Sequence, residues 1–157
     1  MKKKTEKKAE ATLNTKTAVA RLLAVQALYQ AMHSGQPVSS VINEYLEHRV
    51  GMEIEGEKLQ PPDGALFKNI LNGAQERMAD IEVLIRANSR KDVNGRDIEL
   101  LLKTILICGT FELLSHQAID SPIIINDYLN ITHAFYGKSE VGYVNAVLDA
   151  VSKALRS

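Results

Sequence analysis

The sequence predicts an all-α protein, a compact bundle of about six helices around one central apolar helix. Three observations carry that expectation. The run Ile98 to Leu114 has eleven apolar residues in seventeen and no proline, too long and too leucine-rich for a strand. Elsewhere the apolar residues recur at the 3.6-residue spacing of helices with one buried face. No stretch shows the strict alternation of a half-buried strand, and no internal repeat is visible.

The first thirteen residues are Lys, Glu, Ala and Thr with almost nothing to bury, so 1–13 is read as a flexible basic tail and 14–157 as a single helical domain. Asn14 or Thr15 can cap a first helix that closes near Gly35. Its apolar arc is Val19, Leu22, Leu23, Val25, Leu28, Tyr29 and Met32, with Ala20, Ala24, Ala27 and Ala31 beside it as a stripe for close packing. Arg21 projects from that arc, either paired inside or reaching out at a rim. Pro37 then breaks the chain, and Ser39 or Ser40 can start a second helix ending near Arg49. Val50 to Pro62 reads as an acidic loop. Asp63 caps a long helix through Leu66, Phe67, Ile70, Leu71, Ala74, Met78, Ile81, Leu84 and Ile85, which Gly73 can bend or split. The polar run Asn88 to Gly95 ends it.

On the central helix Glu99, Lys103 and Thr110 share a narrow polar stripe, and Glu112 falls opposite, within the apolar arc. A carboxylate there needs a cation or donors, because burying it alone costs several kcal/mol, about the size of a domain's whole margin. Arg21, the other charge set in an apolar arc, is the expected partner. The run is too short and too charged to span a membrane. Ser121 and Pro122 supply a cap and a first-turn proline for a fifth helix. Its buried side is Ile124, Ile125, Tyr128, Leu129, Ile131, Phe135 and Tyr136, and Gly137 stops it. Ser139 opens a last helix with the stripe Val141, Val144, Val147, Leu148, Val151 and Leu155, and with Asp149 and Lys153 as an exposed i,i+4 pair.

Function classes narrow quickly. The four histidines sit singly, without the partners of a zinc site, and read as solvated side chains. No glycine-rich phosphate loop occurs, and Ser and Asp act as caps rather than around a His. No catalytic residue, metal or cofactor is expected. The single Cys108 excludes a disulfide within the chain, and no apolar leader follows the N-terminal lysines, so the cytoplasm is expected. Net charge is zero, yet residues 1 to 21 hold seven cations against two acids, so the other 136 residues carry net −5. A basic head on an acidic body points to a polyanion as partner, or to a solubilising tail. Lys16 and Arg21 near the start of the first helix, and Lys138, Ser139 and Tyr143 at the start of the last, are the candidate RNA-binding residues. Helix N-termini offer free N–H groups to phosphate, and an aromatic at the rim can stack on an unpaired base.

Three blocks, AVQALYQ at Ala24 to Gln30, FELL at Phe111 to Leu114, and IIINDYLNITHAFYG with the following YVNAVLD between Ile123 and Asp149, resemble the NusB family of bacterial transcription antitermination factors. The resemblance runs from about Thr15 to the end. It implies an all-α, non-enzymatic protein that binds boxA-type RNA in ribosomal RNA transcripts with NusE, which is also a ribosomal protein, and that serves the transcription elongation complex. By position, Tyr143 matches the family's aromatic at the RNA surface and Ser139 its polar neighbour, and Glu99, Leu102 and Lys103 fall on the NusE-facing surface. The family's arginine-rich run before the first helix is nearly uncharged here, around Thr17 to Val19. Two alternatives remain: a helical protein-protein adaptor, or a domain related to the RNA-binding part of ribosomal RNA cytosine methyltransferases. A homodimer is left open, and no membrane partner is expected.

Overall fold

A computed structural model describes residues 15–48, 53–54, 57–58, 63–89 and 98–156. The proposed tail 1–13, the alternative cap Asn14, most of the acidic loop and most of the polar run Asn88 to Gly95 lie outside the described residues. The chain divides into two compact units, Met1–Asn72 and Gly73–Ser157.

In the first unit, helix α1 (Lys16–Ser34) begins where Thr15 Oγ1 accepts a hydrogen bond from the Ala18 amide at 3.1 Å. It ends at Gly35, whose φ of 76° is left-handed and whose amide donates to the Ala31 carbonyl. The small-residue stripe Ala20, Ala24, Ala27 and Ala31 is buried with Val19, Leu23, Val25 and Leu28. Helix α2 (Val38–His48) packs against α1. It starts ahead of the expected caps Ser39 and Ser40, because the Pro37 carbonyl already accepts from the Ser40 and Val41 amides. Gln30 ties the pair together by donating to Gln36 Oε1 at 3.0 Å and to Glu44 Oε2 at 3.2 Å. Two short strands, β1 (Glu53–Ile54) and β2 (Glu57–Lys58), pair antiparallel where only a loop was expected. Each is two residues long, below what a hydrophobic alternation can reveal in sequence. Asp63 caps helix α3 (Gly64–Glu76) as expected, its Oδ1 accepting from the Leu66 amide at 3.0 Å. Tyr45 stacks on Phe67 at 5.8 Å between α2 and α3.

The expected long helix is two. It breaks at Arg77 (φ −105°, ψ 18°), and helix α4 (Met78–Asn88) follows, so the described residues hold seven helices rather than six. Gly73 stays within α3, and its role is spatial. A Cβ there would lie 2.1 Å from Phe111 Cζ, so the bare backbone is what admits the ring. Phe111 is buried in helix α5 (Leu100–Ser115), the central helix of the second unit. Helix α6 (Ser121–Phe135) begins one residue earlier than expected, with Asp120 at the cap position and Pro122 in its first turn. Helix α7 (Lys138–Arg156) closes the unit. Contacts of α5 with α4, α6 and α7, and of α7 with α4 and α6, enclose α5.

Every residue of α5 from Thr104 to Leu113 is buried. The polar stripe expected on α5 therefore ends early: Glu99 is exposed and Lys103 half-buried, but Thr110 is fully buried and its Oγ1 finds no hydrogen-bond partner. Both charges expected in apolar arcs, Arg21 and Glu112, are buried, at 2% and 0% exposure. Within the second unit Glu112 Oε2 accepts from the Tyr128 hydroxyl at 2.5 Å, and Oε1 lies 3.0 Å from His116 Nδ1. His116 is thus a half-buried partner of a carboxylate rather than a solvated histidine. Arg156 closes the turn between α5 and α6: its guanidinium donates to the Leu113, His116 and Ile119 carbonyls and to Ser121 Oγ.

Candidate nucleic-acid interface

The α6–α7 corner gathers three of the sequence-predicted RNA residues. Helix α7 buries Val144, Val147, Leu148 and Val151 along one face, which turns Lys138 and Ser139 of its first turn outward, where both are exposed. Tyr143, one turn on, is half-buried, an aromatic at the rim of that stripe. Gly142 beside it is exposed, and a Cβ there would meet nothing. The Val141 amide bonds back to the Gly137 carbonyl at 3.2 Å, leaving the earlier amides of the first turn without intrahelical acceptors. Those N–H groups and the Lys138 ammonium favour an anion. Glu140 opposes them in part: its Oε2 accepts from Ser139 Oγ at 3.1 Å, so the serine hydroxyl is oriented toward an acid.

The other two RNA candidates lie in the first unit and differ from each other. Lys16 is exposed at the first position of α1, with its backbone held because the Lys16 carbonyl accepts from the Asp63 amide at 3.1 Å. Arg21 is a correction. At 2% exposure it has no surface to offer a phosphate, because it sits on the same face as the buried Ala18, Val25 and Leu28.

Of the candidates for a protein partner, Glu99 is exposed at the start of α5, while Leu102 is only 8% exposed and contributes to the core rather than to a surface. Lys103 pairs with Glu82 Oε1 on α4 at 3.4 Å with both side chains over a third exposed, so the pair is worth at most about 1 kcal/mol. Nothing in the spacing of the sequence joins Glu82 to Lys103, because they belong to different helices.

Sequence reasoning also missed Phe135. Placed on the buried side of α6, it is 44% exposed, since it is the last residue of the helix and the buried stripe ends at Ile131 and Thr132. Tyr136 then turns the chain into extended backbone before α7. The one available signal was its closeness in sequence to Gly137 and Lys138.

Among the described residues no cluster of three His, Cys, Asp or Glu side chains is placed to hold a metal, and no helix is long and apolar enough to cross a membrane. Burial pushes the Cys108 thiol well above its ordinary range, and the Glu112 charge pushes it further, so it stays protonated.

The profile of the NusB family matches residues 18–153. The chain belongs to the NusB family. It is 39% identical over 137 residues to the transcription antitermination protein NusB of Allorhizobium ampelinum, covering 87% of this chain and 86% of the relative. Against the protein of the same name from Nitrobacter hamburgensis it is 34% identical, covering 88% and 86%. Among solved structures it is similar to T. maritima NusB, with a TM-score of 0.69 at 20% identity over 89% of this chain and 92% of that one. It is also similar to a chain in a crystal structure of the antitermination factors NusB and NusE in complex with dsRNA, with a TM-score of 0.71 at 18% identity over 87% and 96%. NusB-family membership and the all-α fold thus agree with the motif blocks that carried the resemblance.

Proposed function

We propose that this NusB-family protein is a non-enzymatic RNA-binding antitermination factor. With a NusE-type ribosomal protein it binds boxA-type sequences in ribosomal RNA transcripts, in the cytoplasm and on the transcription elongation complex. Family membership supports the class of activity, and the relatives carry the name of transcription antitermination proteins. The observation that carries the RNA reading onto particular atoms is the α7 N-terminus, where Lys138, Ser139 and the Tyr143 rim face outward together. Phosphate meets the ammonium and the free amides, and an unpaired base meets the tyrosine ring. Lys16 adds a cation in the first unit. On the partner side, exposed Glu99 and the Glu82–Lys103 pair offer charges to NusE, whereas Leu102 does not.

The burial of Arg21 favours a second reading, a protein-protein adaptor with little RNA affinity of its own. One titration separates them. With NusE present, the full-length chain should retain a boxA strand over a scrambled strand of the same composition at moderate salt. Equal affinity for the two strands ends the antitermination reading and leaves the adaptor.

A further inference from the structure

We propose that Asn72 is a modification site: it converts spontaneously to aspartate and isoaspartate when the C-terminal end of α3 opens, and the Phe111 ring seated on Gly73 holds that end closed. The proposal stands on α3 and α5 alone and does not depend on the RNA reading. Asn72 is exposed and is followed by glycine, the neighbour that least hinders attack on an asparagine side chain, because it has no Cβ. Any other residue at 73 would drive its Cβ into the Phe111 ring. The fold thus requires the glycine that makes the asparagine before it reactive.

The step needs only water. The Gly73 backbone nitrogen bonds to Cγ of Asn72, and the side-chain nitrogen leaves as ammonia, taking the Gly73 amide proton. Water then opens the five-membered imide at either carbonyl. One opening gives aspartate, and the other gives isoaspartate, in which the main chain runs through the former side chain and gains a backbone carbon. Within α3 the Gly73 amide is committed to the carbonyl four residues earlier and points along the axis, away from the Asn72 side chain, so the closed helix does not react. The helix stops soon after, at Glu76, where the Arg77 amide bonds back to the Gly73 carbonyl at 3.0 Å and no side chain caps the junction with α4. Helix ends of this kind open locally without global unfolding. Once formed, isoaspartate cannot restore the helical register beneath Phe111, and the new carboxylate stands near the negative end of the α3 dipole. A transient opening is thereby made permanent.

Trypsin releases this stretch of the full-length chain as the peptide Asn69–Arg77, while the other Asn-Gly pair, at 94 and 95, lies outside the described residues and falls in a different peptide. Mass spectrometry of that peptide after incubation of the intact protein at mildly alkaline pH follows the amide-to-acid conversion. Asn69, followed by the branched Ile70, is the internal control and should remain an amide. Conversion of Asn72 should be at least about tenfold slower in native buffer than in urea. Phe111→Leu, which withdraws the ring, should raise the native rate by roughly threefold or more, and Phe111→Met serves if that variant fails to fold by circular dichroism. Val151→Ala, a core change on α7 away from the seat, should leave the native rate as it is.

Equal rates in buffer and in urea would mean that α3 protects nothing and would overturn the proposal. No conversion even in urea would show that Asn72 is not a modification site. Acceleration by Val151→Ala equal to that by Phe111→Leu would assign the reaction to global unfolding and remove Phe111 as the gate.

Discussion

At the scale of single residues, the buried carboxylate of Glu112 is the most consequential. A charge at 0% exposure is tolerable only when donors converge on it, and Tyr128 and His116 do so from the next helix and the end of its own. Glu112→Ala leaves the Tyr128 hydroxyl buried without that acceptor. The loss should be about 1 to 3 kcal/mol for that group alone, and more if other partners are also stranded. A urea melt that keeps its midpoint would show that the carboxylate is dispensable. Cys108, one turn before Glu112, is governed by the same enclosure. Because only the thiolate reacts, a thiol reagent should label it no faster than the protein opens. Labelling within seconds under native conditions would contradict its burial. The linkage has a definite sign. The folded state holds the thiol proton more tightly than the unfolded chain, so stability is complete below the ordinary thiol range and falls as pH rises through it. Cys108→Ala should flatten that part of the stability profile.

At the scale of elements, periodicity made most helices legible and left their ends uncertain. Most of the apolar stripes of α1 and α7 are buried, with Leu22, Tyr29, Met32, Val141 and Leu155 half-buried, since a repeat of several turns defines a face whatever packs on it, whereas α5 is buried on every side from Thr104 to Leu113. Where a single residue decides, the text is thinner. The break at Arg77 has no proline or glycine to mark it, so one long helix was expected where α3 and α4 stand. Conversely, Gly73 looked like a hinge because glycine is a poor helix residue, and its use is the space it leaves for Phe111. Gly73→Ala should therefore destabilise by about 1 to 3 kcal/mol or more, despite the better helix propensity of alanine. Pairing it with Phe111→Leu should return part of the loss, and strict additivity of the two would refute the steric account. Phe135 is the matching case at a helix end: the wheel assigns it a face, and the wheel does not know where the neighbouring helices stop.

For the whole molecule, charge separation along the chain bears on affinity more than net charge does. Zero net charge conceals the basic first 21 residues, and folding withdraws Arg21 from that set. With Lys16, Lys138 and some of the lysines before residue 9 meeting phosphates, roughly three to five contacts on a single strand give a log-log salt slope of about −2 to −3.5. Lys138→Ala should reduce the slope by about 0.7 and weaken all sequences alike, whereas Tyr143→Ala should cost about 1 to 3 kcal/mol with the slope unchanged. Slopes that stay the same in both variants would remove Lys138 from the contact set. The exposure of the candidate RNA residues Lys138 and Ser139 was legible because they stand at a helix start, ahead of the apolar stripe of α7. Arg21 was misread because a charge in an apolar arc looks the same in sequence whether it is enclosed or at a rim. The central helix carries a last consequence. Ten consecutive buried positions, Thr104 to Leu113, pass almost three times around the axis. That stretch has no outward side on which replacements are free, so random substitution should be rejected at all ten positions, while the outer sides of α1 and α7 accept it every third or fourth residue.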